Sequence, residues 1–180
     1  MSKIPGVVIG IVKSLDDPDG LGRVKLEYPW MAEESPESNW ARIAAPMAGP
    51  ERGFQFMPEE GDEVLVAFEQ GEIRLPYIIG YLWNGEDKPP REEPSQRTIQ
   101  TVSGHVLEFE DKEGEEKISL LFKGDTPSVV IDEKKVEINF QGSDPNIILE
   151  NGKLTLTAAG STIELSTSGV KITGTKIELN

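Results

Sequence analysis

Val129-Val130-Ile131, Val136-Glu137-Ile138, Ile147-Ile148-Leu149, Leu154-Thr155-Leu156, Ile163-Glu164-Leu165, Val170-Lys171-Ile172 and Ile177-Glu178-Leu179 follow one another along residues 129–180. Each triplet is apolar at its ends, the period-two signature of a strand with one buried face. The triplets begin 7, 11, 7, 9, 7 and 7 residues apart. Between them stand Asp132, Gly142, Asp144-Pro145, Asn151-Gly152, Gly160, Ser168-Gly169 and Gly174, residue types that favour turns. A repeat this regular sets architecture before any motif does. It predicts seven short strands stacked at ~4.8 Å, roughly 34 Å in all.

The rest of the chain agrees with a wholly β protein. Apolar residues make up 37% of its 180 residues and aromatics 7%, modest for a free-standing core, and no segment of ten or more residues keeps a helical period. Val7–Leu15 and Arg23–Tyr28 read as paired strands, the second with Val24, Leu26 and Tyr28 on one face. Asp17-Pro18-Asp19-Gly20 turns between them, because Pro presets φ and Gly supplies positive φ. Its carboxylates could suggest calcium, but the spacing is not that of an EF-hand loop. Trp40–Ala44, Asp62–Phe68 (Val64, Val66 and Phe68 on one face) and Tyr77–Leu82, with Ile78 inward, complete five strands. Five strands with loops of unequal length fit a small Greek-key barrel of the OB type. The predicted organisation is an OB-fold domain over 1–86, a Pro-rich linker over 87–96, further strands over 97–125 and the repeat over 126–180.

Charge and chemistry exclude several functions. The net charge of −14 is spread evenly, with 16 acidic against 8 basic residues in 1–90 and 16 against 10 in 91–180. Such a surface repels phosphate backbones. With no cysteine there is no disulfide or thiol chemistry. The start at Met1-Ser2-Lys3 carries no signal peptide and no apolar run spans a bilayer, so synthesis in a cytoplasm is expected. No serine elbow or Gly-rich phosphate loop is present. The pairs Glu59-Glu60, Glu92-Glu93 and Glu115-Glu116 are adjacent, and adjacent residues of a strand face opposite ways. No catalytic, metal or cofactor site is predicted, and the sole histidine, His105, reads as structural. The competing reading is an OB-fold module for oligonucleotide or saccharide, with Trp30, Trp40, Phe54, Phe56 and Trp83 as a stacking platform. It leaves the C-terminal repeat unexplained.

Four stretches carry a resemblance. Asp17-Pro18-Asp19-Gly20-Leu21-Gly22-Arg23-Val24, Trp40-Ala41-Arg42-Ile43, the run Gly53-Phe54-Gln55-Phe56-Met57-Pro58 through Phe68, and Tyr77-Ile78-Ile79-Gly80-Tyr81-Leu82-Trp83-Asn84-Gly85 resemble phage baseplate assembly protein V. They are equally similar to the spike part of VgrG proteins of type VI secretion. Arg97–Thr101, Ser103-Gly104-His105, Glu108–Asp111 and Gly114 resemble the VgrG neck. The resemblance implies a homotrimer with three OB domains as a collar and three C-terminal tails interleaved into a triangular β-prism, an intertwined trimeric β-helix. The physics of short one-faced strands asks for the same, since a lone stack leaves its apolar face and two edges open.

On that reading Ile131, Ile138, Phe140, Leu149, Leu156, Leu165, Ile172 and Leu179 pack on the trimer axis, and Val24, Leu26, Val64, Val66, Phe68 and Ile78 form the OB core. Some related spikes end in His-x-His motifs holding iron; none stands here, so that site is not carried over. The blunt end resembles spikes that take a separate PAAR-type cap, which would meet Ile177, Leu179 and Asn180. The chain opens close to its first strand, so a separate hub protein is expected to hold the collar, through loops Pro29–Asn39 and Pro46–Gly53. The implied function is mechanical: the central spike in the baseplate of a virion or phage-like particle, touching a target membrane only in passing.

Overall fold

The computed structural model describes residues 3–31, 37–140 and 144–177. Leu179 and Asn180 of the predicted tip lie outside the described residues, as do Glu33, Glu34 and Pro36 of the predicted hub loop. The chain divides into two units, one ending at Lys88 and one beginning at Pro89. Its regular structure is β, apart from one 3-10 turn at Glu69–Gly71 among the described residues.

In the first unit, β1 (Val7–Ser14), β2 (Lys25–Glu27), β3 (Arg42–Ile43), β6 (Glu63–Phe68) and β7 (Pro76–Tyr81) form one sheet in the order β2-β1-β6-β7-β3. Alternation decides which side chains turn inward. Along β6, Val64, Val66 and Phe68 are buried while Glu63, Leu65 and Ala67 are only half-buried. β1 lies antiparallel to β6 with Val8 opposite Val66 and Gly10 opposite Val64. A Cβ on Gly10 would come within 3.1 Å of Val66 Cγ2, so this strand passes close over the core only because the position lacks a side chain.

The two outer strands of the sheet meet. Val24 N–H donates to Ala41 O at 3.0 Å, and Ala41 N–H donates to Val24 O at 2.8 Å. The sheet therefore curls back on itself around Val12, Val24, Leu26, Tyr28, Ala41, Val64, Val66, Phe68 and Ile78. The six residues expected as the OB core all lie in this cluster. Burial pushes the Tyr28 phenol up to about 12. The stretch 46–53, read as a plain loop, contains a two-residue hairpin of β4 (Ala48–Gly49) and β5 (Arg52–Gly53), turned by Glu51 at φ 56°.

The second unit is one nine-stranded sheet. β8 (Gln96–Gln100), β9 (Val106–Glu110), β10 (Lys117–Leu121), β11 (Ser128–Asp132), β12 (Lys135–Asn139), β13 (Asn146–Glu150), β14 (Lys153–Ala158), β15 (Ser161–Ser166) and β16 (Gly169–Thr173) pair in chain order, each antiparallel to the one before. Every strand from β9 to β15 pairs with the strands before and after it in the chain. The reason lies in the turns. Asn151-Gly152, with Gly152 at φ 72°, and Ala159-Gly160, at φ 48° and 75°, are two-residue connections of the kind that reverse a strand onto itself. The alternating triplets showed which residues share a face, and they did not show which strand pairs with which. Of the triplet at Ile177, Glu178 and Leu179 lie outside the described residues.

The stretch read as a linker is fastened to this sheet. Arg91 Nε donates to Glu108 Oε2 at 2.5 Å, and Arg91 Nη1 donates to Gln100 Oε1 at 3.2 Å. Glu108 is 8% exposed, a position a carboxylate keeps only when paired.

Candidate functional site

The in-register pairs of the second sheet generate two straight rows of side chains on one face. One row runs Ile99, Leu107, Leu120, Val129, Ile138, Ile147, Leu156, Ile163, Ile172. The other runs Arg97, Phe109, Ile118, Ile131, Val136, Leu149, Leu154, Leu165, Val170. Members of the two rows are two residues apart on each strand and so point the same way. From β9 to β16 neither row contains a charge.

This face is open. Ile138, Leu149, Leu165 and Ile172 are 40–50% exposed. Along β13 and β15 the apolar residues are more open than most of their polar neighbours, the reverse of a sheet that lies free in water. The unit has almost no apolar core of its own: every residue of the buried cluster belongs to the first unit, and Val106 is the one buried apolar residue of the second among those described. Large open apolar faces of this kind mark association surfaces.

Of the residues predicted for the axis, Leu179 lies outside the described residues and six of the others fall here, on two rows. Ile138, Leu156 and Ile172 occupy the first, and Ile131, Leu149 and Leu165 the second. Phe140 follows Ile138 just beyond β12. Near the C-terminal end, Phe140, Pro145, Lys176 and Ile177 border a groove of about 470 Å³ floored by Ile147 and Ile163. The sequence reading missed Ile147, Ile163, Leu154 and Val170, which antiparallel pairing brings opposite the chosen ones.

The other face is polar and internally paired. Lys135 Nζ donates to Glu137, and Lys153 Nζ to Glu150 at 2.7 Å. The Lys135 ammonium holds the Glu137 carboxyl below its ordinary range. The backbone N–H groups of Lys134 and Lys135 do the same for Asp132. At the β8–β9 end, the Ser95 hydroxyl beside Glu110 lowers that carboxyl.

The sites considered for other chemistry are occupied structurally. Asp17 accepts from Arg23 Nη2 at 2.6 Å and Nε at 3.1 Å, and from the N–H groups of Asp19, Leu21 and Arg23. Its oxygens are thus filled by the turn's own donors. Glu59-Glu60, Glu92-Glu93 and Glu115-Glu116 lie in loops rather than strands, so strand geometry is not what separates them. Lys112 Nζ donates to Glu115 at 2.6 Å. His105 packs its ring on Phe122, 4.4 Å between centroids, beside the β8–β9 turn.

Trp40 is half-buried with Arg23 and Lys25 over its ring at 5.7 and 5.0 Å. Arg23 is committed to Asp17 and Asp19, and Lys25 donates to Ser38 O at 2.8 Å. These cations are therefore not poised for a phosphate. Trp83 is 65% exposed, as are Phe54 and Phe56 in large part. Trp30 borders a groove of about 510 Å³ with Pro29, Ile9, Ile11 and Glu63.

The Asp17 cluster makes a prediction. The Arg23 guanidinium and three backbone donors hold this carboxyl well below its ordinary 3.8. A depressed carboxyl lends stability that is complete above its ordinary value and is lost as pH falls below it. Asp17→Asn is expected to lower the melting point of the first unit at neutral pH and to flatten its loss between about pH 5 and 2. Thermal melts across that range check this; parallel wild-type and variant curves would refute it.

Comparison with known proteins agrees with the fold. Residues 8–83 match the family described as the Type VI secretion system/phage-baseplate injector OB domain. The chain is similar to the type VI secretion system spike protein VgrG3 of Vibrio cholerae, 31% identical over 123 residues, covering 62% of this chain and 12% of that protein. It is similar to the actin cross-linking toxin VgrG1 of Vibrio cholerae, 34% over 113 residues, 57% of this chain and 10% of that one. The type VI secretion system spike protein VgrG1a of Pseudomonas aeruginosa is 29% identical over 114 residues, 56% of this chain and 18% of that one. The chain spans 10–18% of the length of these curated relatives. The resemblance to baseplate protein V and VgrG spikes is thereby borne out over the N-terminal half.

Proposed function

We propose that this chain, with its injector OB domain at residues 8–83, is the central spike of a contractile tail or phage-like injection baseplate and works as a homotrimer. The observation that carries the trimer is the two-row apolar face of the nine-stranded sheet, left without a core of its own. Three copies bury that face around a common axis, with Ile131, Ile138, Phe140, Leu149, Leu156, Leu165, Ile172 and Leu179 inside and the paired charges of the opposite face in water.

The work is mechanical. A shaft whose strands are hydrogen-bonded from β8 to β16 carries compressive load along its ladder, and no residue need bind or transform a substrate. A separate hub protein holds the OB collar, through the loops Pro29–Asn39 and Pro46–Gly53. The groove beside Trp30 and the exposed hairpin at Glu51 support that assignment. A PAAR-type tip protein covers Ile177, Leu179 and Asn180. Contraction then drives the spike through the target envelope, so contact with the membrane is transient.

The test is the mass of the full chain in solution. Sedimentation is expected to give about 59 kDa, three chains of 19.8 kDa. A 19.8 kDa monomer cut readily by protease after Asp125 would overturn the proposal.

A further inference from the structure

We infer that Asn151, in the two-residue turn between β13 and β14, is a site of spontaneous deamidation, and that the same dipeptide at Asn84-Gly85 is protected from it by its hydrogen bonds. This is a covalent change within one folded chain, independent of the assembly proposed above.

Two asparagines of the chain precede glycine, Asn84 and Asn151. In the reaction the backbone nitrogen of the glycine bonds to Cγ of the asparagine. That nitrogen loses its proton, and the side-chain amide leaves as ammonia. A five-membered succinimide results. Water then opens one of its two carbonyls, giving aspartate, or isoaspartate with its Cβ inserted into the main chain. Nothing is oxidised or reduced, and water is the sole co-reactant. The step needs an asparagine amide free to rotate and a following nitrogen that no side chain shields, which glycine supplies because it lacks a Cβ.

Asn151 meets both conditions. Asn151 and Gly152 are exposed. Among the described residues, neither the Asn151 side chain nor the Gly152 N–H has a hydrogen-bond partner. Lys153 and Glu150, on either side, pair with each other at 2.7 Å and leave the amide alone. Gly152 stands at φ 72°, where a residue with a Cβ is strained. The sharp reversal from Glu150 to Lys153 and the unshielded nitrogen therefore have one cause. Asn84 is held instead. Its Oδ1 accepts from the N–H groups of Glu86 and Asp87 at 2.8 and 2.7 Å, and its Nδ2 donates to Asp87 Oδ2 at 3.2 Å. Its own N–H donates to Asp87 O at 3.0 Å, which closes the loop. Turning the Asn84 amide toward Gly85 breaks these side-chain bonds, and two of ordinary net strength are worth roughly tenfold in rate. At Asn151 either product sets a new carboxylate beside Glu150, on a chain whose net charge is already −14. Isoaspartate also lengthens a connection whose two-residue length fixes the register of β13 on β14.

The test follows both asparagines in one protein. Full-length chain is kept native in mildly alkaline buffer, and a second sample is kept unfolded in urea. Both are sampled over weeks by peptide mass mapping, with isoaspartate detected by enzymatic methylation. In the native sample Asn151 is expected to convert at least about tenfold faster than Asn84, while in urea the two rates converge. Asn151→Gln is expected to lose the acidic species that ion exchange resolves as the wild type ages. Native Asn84 converting as fast as Asn151, or Asn151 persisting in the native protein while it converts in urea, would overturn the inference. A difference that persists in urea would overturn it too, because local sequence and not the fold would then be the cause.

Discussion

Leu156→Asp is expected to abolish assembly, moving the full chain from about 59 kDa to its 19.8 kDa monomer mass. Leu156 sits within the first apolar row, between Ile147 on β13 and Ile163 on β15. Around a three-fold axis one substitution brings three carboxylates into one apolar layer. An unpaired ion placed in such surroundings costs several kcal/mol, even after relaxation, and like charges add to it. Thr155→Asp, one residue away, is the control. Thr155 faces Ile148 and Glu164 on the polar side, and its substitution is expected to leave the three-chain mass unchanged. Sedimentation of both variants checks the pair. If Leu156→Asp remains a trimer, or Thr155→Asp falls apart with it, the assigned face is wrong.

The two units differ in how much their sequences disclose, and the cause is where each finds its partners. In the first unit, alternation in Glu63–Phe68 separates Val64, Val66 and Phe68 from their outward neighbours, and these residues do lie in the core. Every partner is in the same chain, so one-dimensional pattern and three-dimensional burial agree. In the second unit the same alternation selects the correct face but not its width. Choosing one apolar residue per strand mixed the two rows, because antiparallel pairing sets the first apolar residue of a strand against the last of the next. Ile138 meets Ile147, for example, and Val136 meets Leu149.

The signal that fixes this was present in Asn151-Gly152, a hairpin dipeptide whose two-residue length imposes in-chain pairing. Other features had no local signal. Nothing in the Pro-rich stretch 87–96 tells that Arg91 reaches Glu108, seventeen residues on, because a salt bridge over that distance depends on the sheet already formed. The small hairpin at Ala48–Gly53 is likewise too short to alternate.

Leu26→Ala is the counterpart prediction for the first unit, and it separates the two cores. Leu26 is fully buried and among the largest side chains in that state. It lies on β2 opposite Val12 of β1, next to Gly10, where a Cβ would come within 3.5 Å of its Cδ1. Truncating a buried leucine removes its transfer free energy and leaves a cavity, about 2–5 kcal/mol together. For a unit of fewer than a hundred residues that lowers the melting temperature by on the order of 10–20 °C. Leu21→Ala, at a side chain 68% exposed, is expected to change the stability by no more than about 0.5 kcal/mol. Neither change touches the apolar rows, so both variants should keep the mass of three chains below their melting points. Leu156→Asp should do the opposite, removing the trimer while the first unit melts near its wild-type temperature. That crossed outcome follows from a chain in which one unit carries its core within itself and the other obtains one only by meeting its copies. Calorimetry and sedimentation on the same three variants test it. If Leu26→Ala dissolves the trimer well below its melting point, assembly depends on the barrel core and the division fails.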